Sequence, residues 1–266
     1  MSQSRIHTGN VALISGGLGD IGFAIASLLA DRGASLALCD LLSDSAAKSK
    51  IDALQSRGAR VDYRKVDVAN STEVSEWVQG VAARLGLPTL VIPNAAIVAY
   101  CSTLSTTNAE FERHLKVNLL GSFFMAQEAA RILIEQKTPG RIVFIGSWVA
   151  HAPSPQILPY AAAKAALRMV MQCMALELAP QGILVNEVAP GFVDAGLSAQ
   201  EFAQIPGSRE ECRRQVPTGK LLTADDVAKK VGLLCHPDSD EVTGISFTVD
   251  SGLSLVTPGY LPSLPG

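Results

Sequence analysis

The stretch Asn10-Val-Ala-Leu-Ile-Ser15, followed directly by Gly16-Gly-Leu-Gly-Asp-Ile-Gly22, decides the fold of this chain. Its first part is a short apolar run typical of a buried parallel strand, and a helical pattern over residues 23–32 follows the glycines. Glycines let the backbone turn sharply and approach a pyrophosphate, whose charge is met by unpaired N–H groups at the helix start. The stretch predicts a strand, a turn and a helix that bind a dinucleotide; a tight turn without a ligand is the alternative.

Apolar runs alternate with segments of helical period along the rest of the chain. The further predicted strands are residues 35–40, 61–65, 90–93, 141–145, 184–189 and 245–249. The further predicted helices are residues 71–85, 108–137, 159–179 and 224–234. This alternation predicts an α/β fold, a Rossmann-like doubly wound parallel sheet of about seven strands with helices on both faces. No linker is visible, so residues 1–266 are predicted to form a single dinucleotide-binding and catalytic domain.

Asp40 ends the second predicted strand, about where a dinucleotide fold places its ribose ligand. A carboxylate there accepts hydrogen bonds from both hydroxyls of the adenosine ribose but repels a 2′-phosphate. Neither Gly17 nor Leu41 supplies a cation to bind such a phosphate. Asp40 therefore predicts NAD rather than NADP; the alternative is an Asp that only caps the next helix.

Ser147, Tyr160 and Lys164 fall within one stretch and suggest a proton-transfer site. Positions i and i+4 of a helix are neighbours, so Tyr160 and Lys164 point the same way, and Ser147 ends the preceding strand. Tyr titrates near ~10 and is a poor base, but a nearby ammonium stabilises its phenolate. We predict that Tyr160 is a general acid–base group, with its pKa lowered by Lys164, and that Ser147 binds the substrate oxygen. Taken alone, the pair is more often an ordinary helix-surface pair.

Taken together, these residues and several further motifs resemble the short-chain dehydrogenase/reductase family, in its single-domain, NAD-type branch, over nearly the whole chain. The ordered set is specific, although each match is modest. The matching segments are Ser15–Gly22 for the cofactor turn, Asp67-Val68 for the adenine contact, Pro93-Asn94-Ala95-Ala96 beside the cofactor, Asn118, Ser147, Tyr160 and Lys164 for the catalytic tetrad, Pro190-Gly191-Phe-Val193 over the nicotinamide, and Asp250-Ser-Gly252 near the C-terminus.

The resemblance implies a role for each matching residue. Tyr160 would exchange a proton with the substrate oxygen as hydride moves, and Lys164 would bind the nicotinamide ribose. Asn118 would hold a water that connects Lys164 to solvent. The implied cofactor contacts are Gly16, Leu18, Ile21, Asp40, Leu41, Asp67, Val68, Asn94, Ala95, Ala96, Tyr160, Lys164, Pro190, Gly191 and Val193. The candidate substrate contacts are Ser147, Trp148, His151 and Tyr160, with packing under the loop as the alternative for Trp148.

Four positions depart from the family pattern. Asp20 stands where the second glycine of the turn is usual, so that it either brings a charge close to the phosphates or caps the helix. Pro93 and Ala96 replace residues that are often Asn and Gly. Ala195 stands where a Thr commonly donates to the nicotinamide carboxamide, which predicts weaker cofactor binding.

Composition excludes several other classes of protein. The net charge of -3 and the pI of about 5.8 give no electrostatic footprint for nucleic acid. No apolar stretch resembles a signal peptide or a membrane span, so a cytoplasmic protein with no membrane contact is expected. The 5 cysteines are odd in number and lack Cys-x-x-Cys spacing, and the 4 histidines are dispersed. No disulfide framework and no metal site are expected.

Two segments are predicted to act outside the core. Residues 196–217 are poorly patterned and follow the nicotinamide segment, which suggests a substrate lid. Residues 253–266 form an apolar, proline-containing tail that is expected to be extended and to pack on a neighbouring subunit. The family resemblance implies a homo-oligomer, a dimer or a tetramer, paired through helices 108–137 and 159–179.

The resemblance also implies the reaction. The leading interpretation is an NAD-dependent oxidoreductase that transfers hydride between nicotinamide and a secondary alcohol or ketone, a CH–OH substrate such as a sugar, polyol or related hydroxy compound. The runner-up is a 3-oxoacyl thioester (acyl-carrier-protein) reductase, disfavoured by Asp40 and by the acidic balance of the chain. A catalytically silent nucleotide-binding or scaffold protein is the alternative from another class.

Overall fold

A seven-stranded, wholly parallel sheet forms the centre of the protein, as a computed structural model that describes residues 5–256 shows. The strands are β1 (Val11–Ser15), β2 (Ser35–Asp40), β3 (Val61–Lys65), β4 (Leu90–Ile92), β5 (Gly140–Ile145), β6 (Ile183–Pro190) and β7 (Ser246–Val249). Their order is β3-β2-β1-β4-β5-β6-β7, so the direction of winding reverses between β1 and β4. The predicted doubly wound sheet is confirmed. Ligands bind such sheets beyond the carboxyl ends of the strands at this switch point.

Helices cover both faces of the sheet. They are α1 (Asp20–Asp31), α2 (Asp44–Gln55), α3 (Ser71–Arg84), α4 (Asn108–His114), α5 (Ser122–Glu135), α6 (Leu158–Leu178), α7 (Gly196–Gln204), α8 (Ser208–Gln215) and α9 (Ala224–Leu234). The single helix predicted over residues 108–137 is interrupted by a π-helical turn at Leu115–Gly121, between α4 and α5.

Three helices, α2, α7 and α8, were not predicted from the sequence. The helix α2 buries only Ala47 and Leu54, and α8 buries only Cys212, so neither carries a continuous apolar stripe. Residues 196–217, interpreted as a poorly patterned segment, contain α7 and α8. Helix α2 begins where Ser43 accepts a hydrogen bond from the amide of Ala46.

The core has two layers, one on each face of the sheet. Alternate side chains of β1 point to opposite faces, so Leu13 joins the layer against α3, α5 and α6, while Ile14 joins the layer against α1 and α9. All five residues of β1 are buried. Each large apolar side chain buried in these layers contributes about 1.5–3 kcal/mol. The strand ends are therefore held on a rigid scaffold.

The C-terminal segment begins with a short 3-10 turn at Leu253–Leu255, in which Leu253 is buried and Leu255 is exposed. The rest of the tail predicted to pack on a neighbour, residues 257–266, lies outside the described residues. Within residues 5–256, no helix is long and apolar enough to cross a membrane. In the same range, no three His, Cys, Asp or Glu side chains are grouped so that they could hold a metal ion.

Candidate active site

A cavity of about 710 Å³ lies at the carboxyl ends of the strands, where the winding reverses. Ser147, Tyr160 and Lys164 line it together with every predicted cofactor contact except Leu18. Asn118, Trp148 and His151 are not among the residues that line it. The fold therefore brings most of the predicted site together in one cavity, and Leu18, Asn118, Trp148 and His151 are the four exceptions.

The glycine turn after β1 is compact because of two close approaches. Gly16 has a φ of +59°, and a Cβ there would lie 2.9 Å from the Cα of Ala95. A Cβ at Gly22 would overlap the carbonyl oxygen of Gly16. Only glycine fits both positions, which leaves the backbone open toward the cavity. This is the kind of cradle that a pyrophosphate requires.

Ser15 and Asn94 tie the turn to the end of β4. The Ser15 hydroxyl accepts hydrogen bonds from the amides of Asn94 (3.0 Å) and Ala95 (3.1 Å). The Asn94 side-chain amide donates to the carbonyls of Ser15 and Gly16, both at 3.0 Å. Asn94 thus uses its amide nitrogen to hold the turn. Ser15 helps to build the site, a role of its side chain that was not predicted from the sequence.

Asp40 lines the cavity and is held there by backbone amides. Its carboxylate accepts hydrogen bonds from the amides of Leu41 (2.8 Å) and Leu18 (3.2 Å). Leu18 itself is buried below the turn and contributes its backbone. Ser43 caps the next helix, so the alternative role of Asp40 as a helix cap is not what the structure has.

Asp20 makes a contact that the sequence did not suggest. Its Oδ2 accepts a hydrogen bond of 2.8 Å from the amide of Gly196, at the start of α7. The N-cap of α1 is Gly19, and no side chain caps that helix. The carboxylate therefore lines the cavity beside the glycine turn and connects this turn to the segment predicted as a lid.

Ser147, Tyr160 and Lys164 meet as their spacing predicts. The side chains of Ser147 and Tyr160 are hydrogen-bonded, and the Lys164 Nζ lies 5.6 Å from the centroid of the Tyr160 ring. Lys164 is buried, and its Nζ donates to the carbonyl of Ile145 at 2.7 Å. The ammonium is thereby held between the end of β5 and the first turns of α6.

The pKa of Tyr160 differs from the prediction, and the pKa of Lys164 is shifted as well. Burial raises the pKa of Tyr160 to about 12, although the hydrogen bond with Ser147 acts in the opposite direction. Burial lowers the pKa of Lys164 to about 8, against the attraction of Glu187. The expected lowering of the pKa of Tyr160 is not what the protein groups alone produce, because desolvation of the phenolate outweighs the other contributions.

Asn118 lies in the π-helical turn and is fully buried. Its side chain pairs with both backbone groups of Ile97, accepting from the amide at 2.8 Å and donating to the carbonyl at 2.9 Å. A Cβ at Gly121 would lie 2.8 Å from the carbonyl oxygen of Val68, so this turn also packs closely against the predicted adenine segment. The π-helical turn, a feature frequent at functional sites, fixes the segments after β3 and β4.

Trp148 and His151 follow Ser147 but turn toward other partners. The Trp148 ring packs edge to face against Phe192, with centroids 5.4 Å apart. The two nitrogens of His151 contact Arg168 (2.6 Å) and Thr248 (3.0 Å).

Arg168 and Glu187, which were absent from the sequence prediction, form a buried ion pair at 2.9 Å behind Ser147. The only signal for them was a carboxylate inside the apolar run of β6.

With this geometry in view, comparison with known proteins shows the family. A family profile described as "Enoyl-(Acyl carrier protein) reductase" matches residues 17–254. The chain is 32% identical over 259 residues to a short-chain dehydrogenase/reductase of Armillaria gallica, a match that covers 95% of this chain and 99% of the relative. It is 31% identical over 258 residues to (+)-borneol dehydrogenase 1 of Salvia officinalis, covering 96% and 97%.

A solved structure of levodione reductase superimposes with a TM-score of 0.89 at 27% identity, over 94% of this chain and 100% of the other. The chain belongs to the short-chain dehydrogenase/reductase family. It is therefore an oxidoreductase by family, and the family uses nicotinamide cofactors, NAD or NADP. The residues that form the cavity fit such a dinucleotide, since the glycine turn leaves room where side chains would fill the cradle.

Proposed function

We propose that this protein is an NAD-dependent oxidoreductase that transfers hydride between nicotinamide and a secondary alcohol or ketone. The observation that supports it most directly is the hydrogen-bonded Ser147 and Tyr160, with Lys164 beside the phenol ring, in the same cavity as the glycine turn and Asp40. A proton-transfer group and a dinucleotide cradle in one cavity suit hydride transfer coupled to proton transfer at a CH–OH centre.

In this proposal the dinucleotide, when bound, supplies the hydride acceptor or donor, and the chain supplies the rest. Ser147 and Tyr160 hold the substrate oxygen with their hydroxyl groups. With its pKa near 12, Tyr160 is protonated at neutral pH and is ready to donate its proton to the oxygen when a ketone is reduced. In the oxidation direction the phenolate form of Tyr160 receives the proton of the alcohol. Lys164 holds a positive charge that stabilises the phenolate, and the Asn118 side chain holds Ile97 in the wall of the cavity.

A spectrophotometric screen that follows reduced nicotinamide tests the proposed reaction. Cyclohexanol, sorbitol and L-rhamnose would be offered with NAD and with NADP, and butane-2,3-dione and an acetoacetyl thioester with NADH and with NADPH. Turnover of an alcohol or ketone with the NAD pair supports the proposal. Turnover confined to the thioester with NADPH would favour the 3-oxoacyl reductase, and no turnover with bound dinucleotide would favour a silent nucleotide-binding protein.

Asp20 leads to a first prediction about the cofactor. Its carboxylate lies in the cavity beside the glycine turn, where a diphosphate would be repelled. Asp20→Asn keeps an oxygen that can accept from the Gly196 amide but removes the charge. We expect the Kd for NAD to fall by about threefold to tenfold in isothermal titration calorimetry, equivalent to about 0.7–1.4 kcal/mol.

Asp52→Asn is the matched control, because Asp52 is exposed on α2 and pairs with Lys48 away from the cavity. An unchanged Kd in Asp20→Asn would show that the carboxylate does not oppose the diphosphate.

The same samples test our proposal that residues 196–217 are a substrate lid. NAD should then slow amide hydrogen exchange across this segment, and equal exchange with and without NAD would contradict the lid.

We also propose that the protein is a cytoplasmic homo-oligomer, a dimer or a tetramer. Large apolar side chains are exposed on α6, among them Met169 (60% exposed) and Leu176 (81%), and Ile134 is exposed on α5. Water contact with such side chains is unfavourable, which supports pairing through these two helices. Multi-angle light scattering should give a mass of two or four chains, whereas a monomer would contradict the proposal. Met169→Lys with Leu176→Lys should then lower that mass, unlike Lys229→Glu on α9.

A further inference from the structure

Glu187 is a carboxylate buried within the sheet. It lies on β6, is 0% exposed, and faces the same layer of the core as α6. Its Oε2 accepts a hydrogen bond of 2.9 Å from the Arg168 Nε, while its Oε1 has no hydrogen-bond partner among the described residues. A buried carboxylate is costly unless it is paired, and a single bonded oxygen leaves much of that cost in place. The stability of the fold does not explain this residue.

The backbone leading to Ser147 leaves the space that Glu187 fills. β5 and β6 are paired in parallel, with Phe144 opposite Glu187. A Cβ at Gly146 would overlap the Glu187 Oε1, so the carboxylate lies directly against the residue that precedes Ser147. The amide of Gly146 donates to the carbonyl of Val188 at 2.8 Å, which keeps the two strand ends together at this point.

Arg168 connects Glu187 to the loop that carries Ser147. Its position on α6 is four residues after Lys164, on the same helical face as Tyr160. Besides Glu187, its guanidinium donates to the Ser147 carbonyl at 3.5 Å and to the His151 Nδ1 at 2.6 Å.

Because a guanidinium can only donate, His151 accepts at Nδ1 and is neutral in this arrangement. Its Nε2–H then donates to the Thr248 hydroxyl at 3.0 Å. The pKa of His151 is lowered by burial and by Arg168, which agrees with a neutral ring. One connected set of hydrogen bonds thus joins β6, α6, the loop after Ser147 and β7.

We propose that Glu187 is a positioning residue that keeps the Lys164 ammonium charged during proton transfer at Tyr160, and that Arg168 holds Glu187 and the Ser147 backbone in place. This inference rests on the proposed function of the same site. The charged and titratable groups that face this region are Tyr160, Lys164 and Arg168 on α6, His151 in the loop, and Asp250 after β7, which acts on His151. Glu187 is the anion that acts on both Tyr160 and Lys164. Its Oε1 lies against Gly146, directly after the Ile145 carbonyl to which the Lys164 Nζ donates.

The Glu187 carboxylate acts in the same direction on the pKa values of Lys164 and Tyr160: it raises both. Burial lowers the pKa of Lys164 to about 8, and the Glu187 carboxylate opposes that fall. The same carboxylate raises the pKa of Tyr160. Without it, Lys164 would lose its proton at a lower pH and would be largely neutral in the range where a phenolate at Tyr160 needs a cation. Removing the charge should therefore lower the pKa of both groups.

Glu187→Gln tests the proposal, because glutamine retains an oxygen for the Arg168 Nε and removes the charge. The protein would be labelled with lysine carrying ¹³C at Cε and titrated by NMR, with Lys164→Arg identifying the Lys164 signal. We expect Lys164 to titrate about one pH unit lower in Glu187→Gln than in the unmodified protein. Glu241→Gln, which removes an exposed carboxylate between α9 and β7, should leave the titration unchanged.

A second variant covers the case in which an unpaired Arg168 prevents folding. Glu187→Gln combined with Arg168→Met removes both buried charges together, and Lys164 should again titrate lower than in the unmodified protein. An unchanged Lys164 titration in whichever variant folds would overturn the proposal. The pH profile of kcat should shift in the same direction, whereas a purely structural role would lower kcat without moving the profile.

The titration needs no substrate, so it remains informative if the proposed reaction is wrong. Activity that survives in Tyr160→Phe would refute the proposed function. An unmoved Lys164 in an enzyme that depends on Tyr160 would refute only the role of Glu187.

Discussion

Tyr160→Phe should lower kcat by about a hundredfold to ten-thousandfold with the best substrate of the screen, the range expected for loss of a general acid–base group. The substitution removes one hydroxyl and leaves the ring over Lys164. Ser147 also remains, but a serine hydroxyl has no neighbouring base with which to replace the phenol. Steady-state kinetics with NAD and with NADH measure the loss in both directions.

Binding and stability separate a chemical effect from a structural one. Tyr160→Phe should bind NAD with a Kd within about threefold of the unmodified protein, a difference below 1 kcal/mol, by isothermal titration calorimetry. Tyr63→Phe is the matched control: it removes a phenol that donates to the Leu42 carbonyl at 2.6 Å and does not line the cavity. It should keep its kcat. A Tyr160→Phe enzyme within tenfold of normal turnover would show that another group carries the proton.

The relation between Tyr160 and Lys164 shows how far helical spacing predicts a site. The i and i+4 positions correctly predicted that both side chains face one cavity, since the geometry of a helix is local. Their pKa values depend on how much water the fold removes and on charges brought from other strands. The burial of both groups and the approach of Glu187 from β6 are consequences of tertiary packing. Spacing alone gave the wrong direction for Tyr160.

The strand ends were predictable for a similar reason. In a parallel sheet the carboxyl ends meet at one edge, and Gly16, Asp40, Asn94, Ser147 and Pro190, which follow or end predicted strands, all line the cavity there. The role of each side chain in the cavity was harder to predict from the sequence. Asn94 holds the glycine turn, an arrangement that requires two strands distant in sequence to be adjacent.

The π-helical turn and the Arg168 pair could not be predicted from the patterns used. Residues 108–137 have an unbroken helical period, and one extra residue per turn around Asn118 leaves that period almost unchanged. Glu187 stood out as a charge within an apolar run, but its partner lies 19 residues away on another element. The unusual charge was therefore visible in the sequence, but its pairing with Arg168 was not.

Asp40→Ser should reverse much of the proposed preference for NAD. The serine hydroxyl is too short to accept from both ribose hydroxyls, and loss of a hydrogen bond to a charged group costs about 1.5–3 kcal/mol. This corresponds to about a tenfold to hundredfold loss of kcat/KM with NAD. NADP gains in addition, because the carboxylate that would repel its 2′-phosphate is gone. We expect the ratio of kcat/KM for NAD to that for NADP to fall by about a hundredfold or more.

The backbone around Asp40 also influences the coenzyme preference that is measured for Asp40→Ser. Asp40→Ser frees the amides of Leu18 and Leu41 that bind the carboxylate, and free backbone amides are suitable donors for a phosphate. Asp44→Asn is the matched control, since it removes a nearby exposed carboxylate at the start of α2 that does not line the cavity. Its coenzyme ratio should stay within about twofold, well below 1 kcal/mol. If Asp40→Ser left the ratio equally unchanged, Asp40 would be a structural ligand of the turn, and the choice of NAD would have to come from elsewhere in the adenosine site.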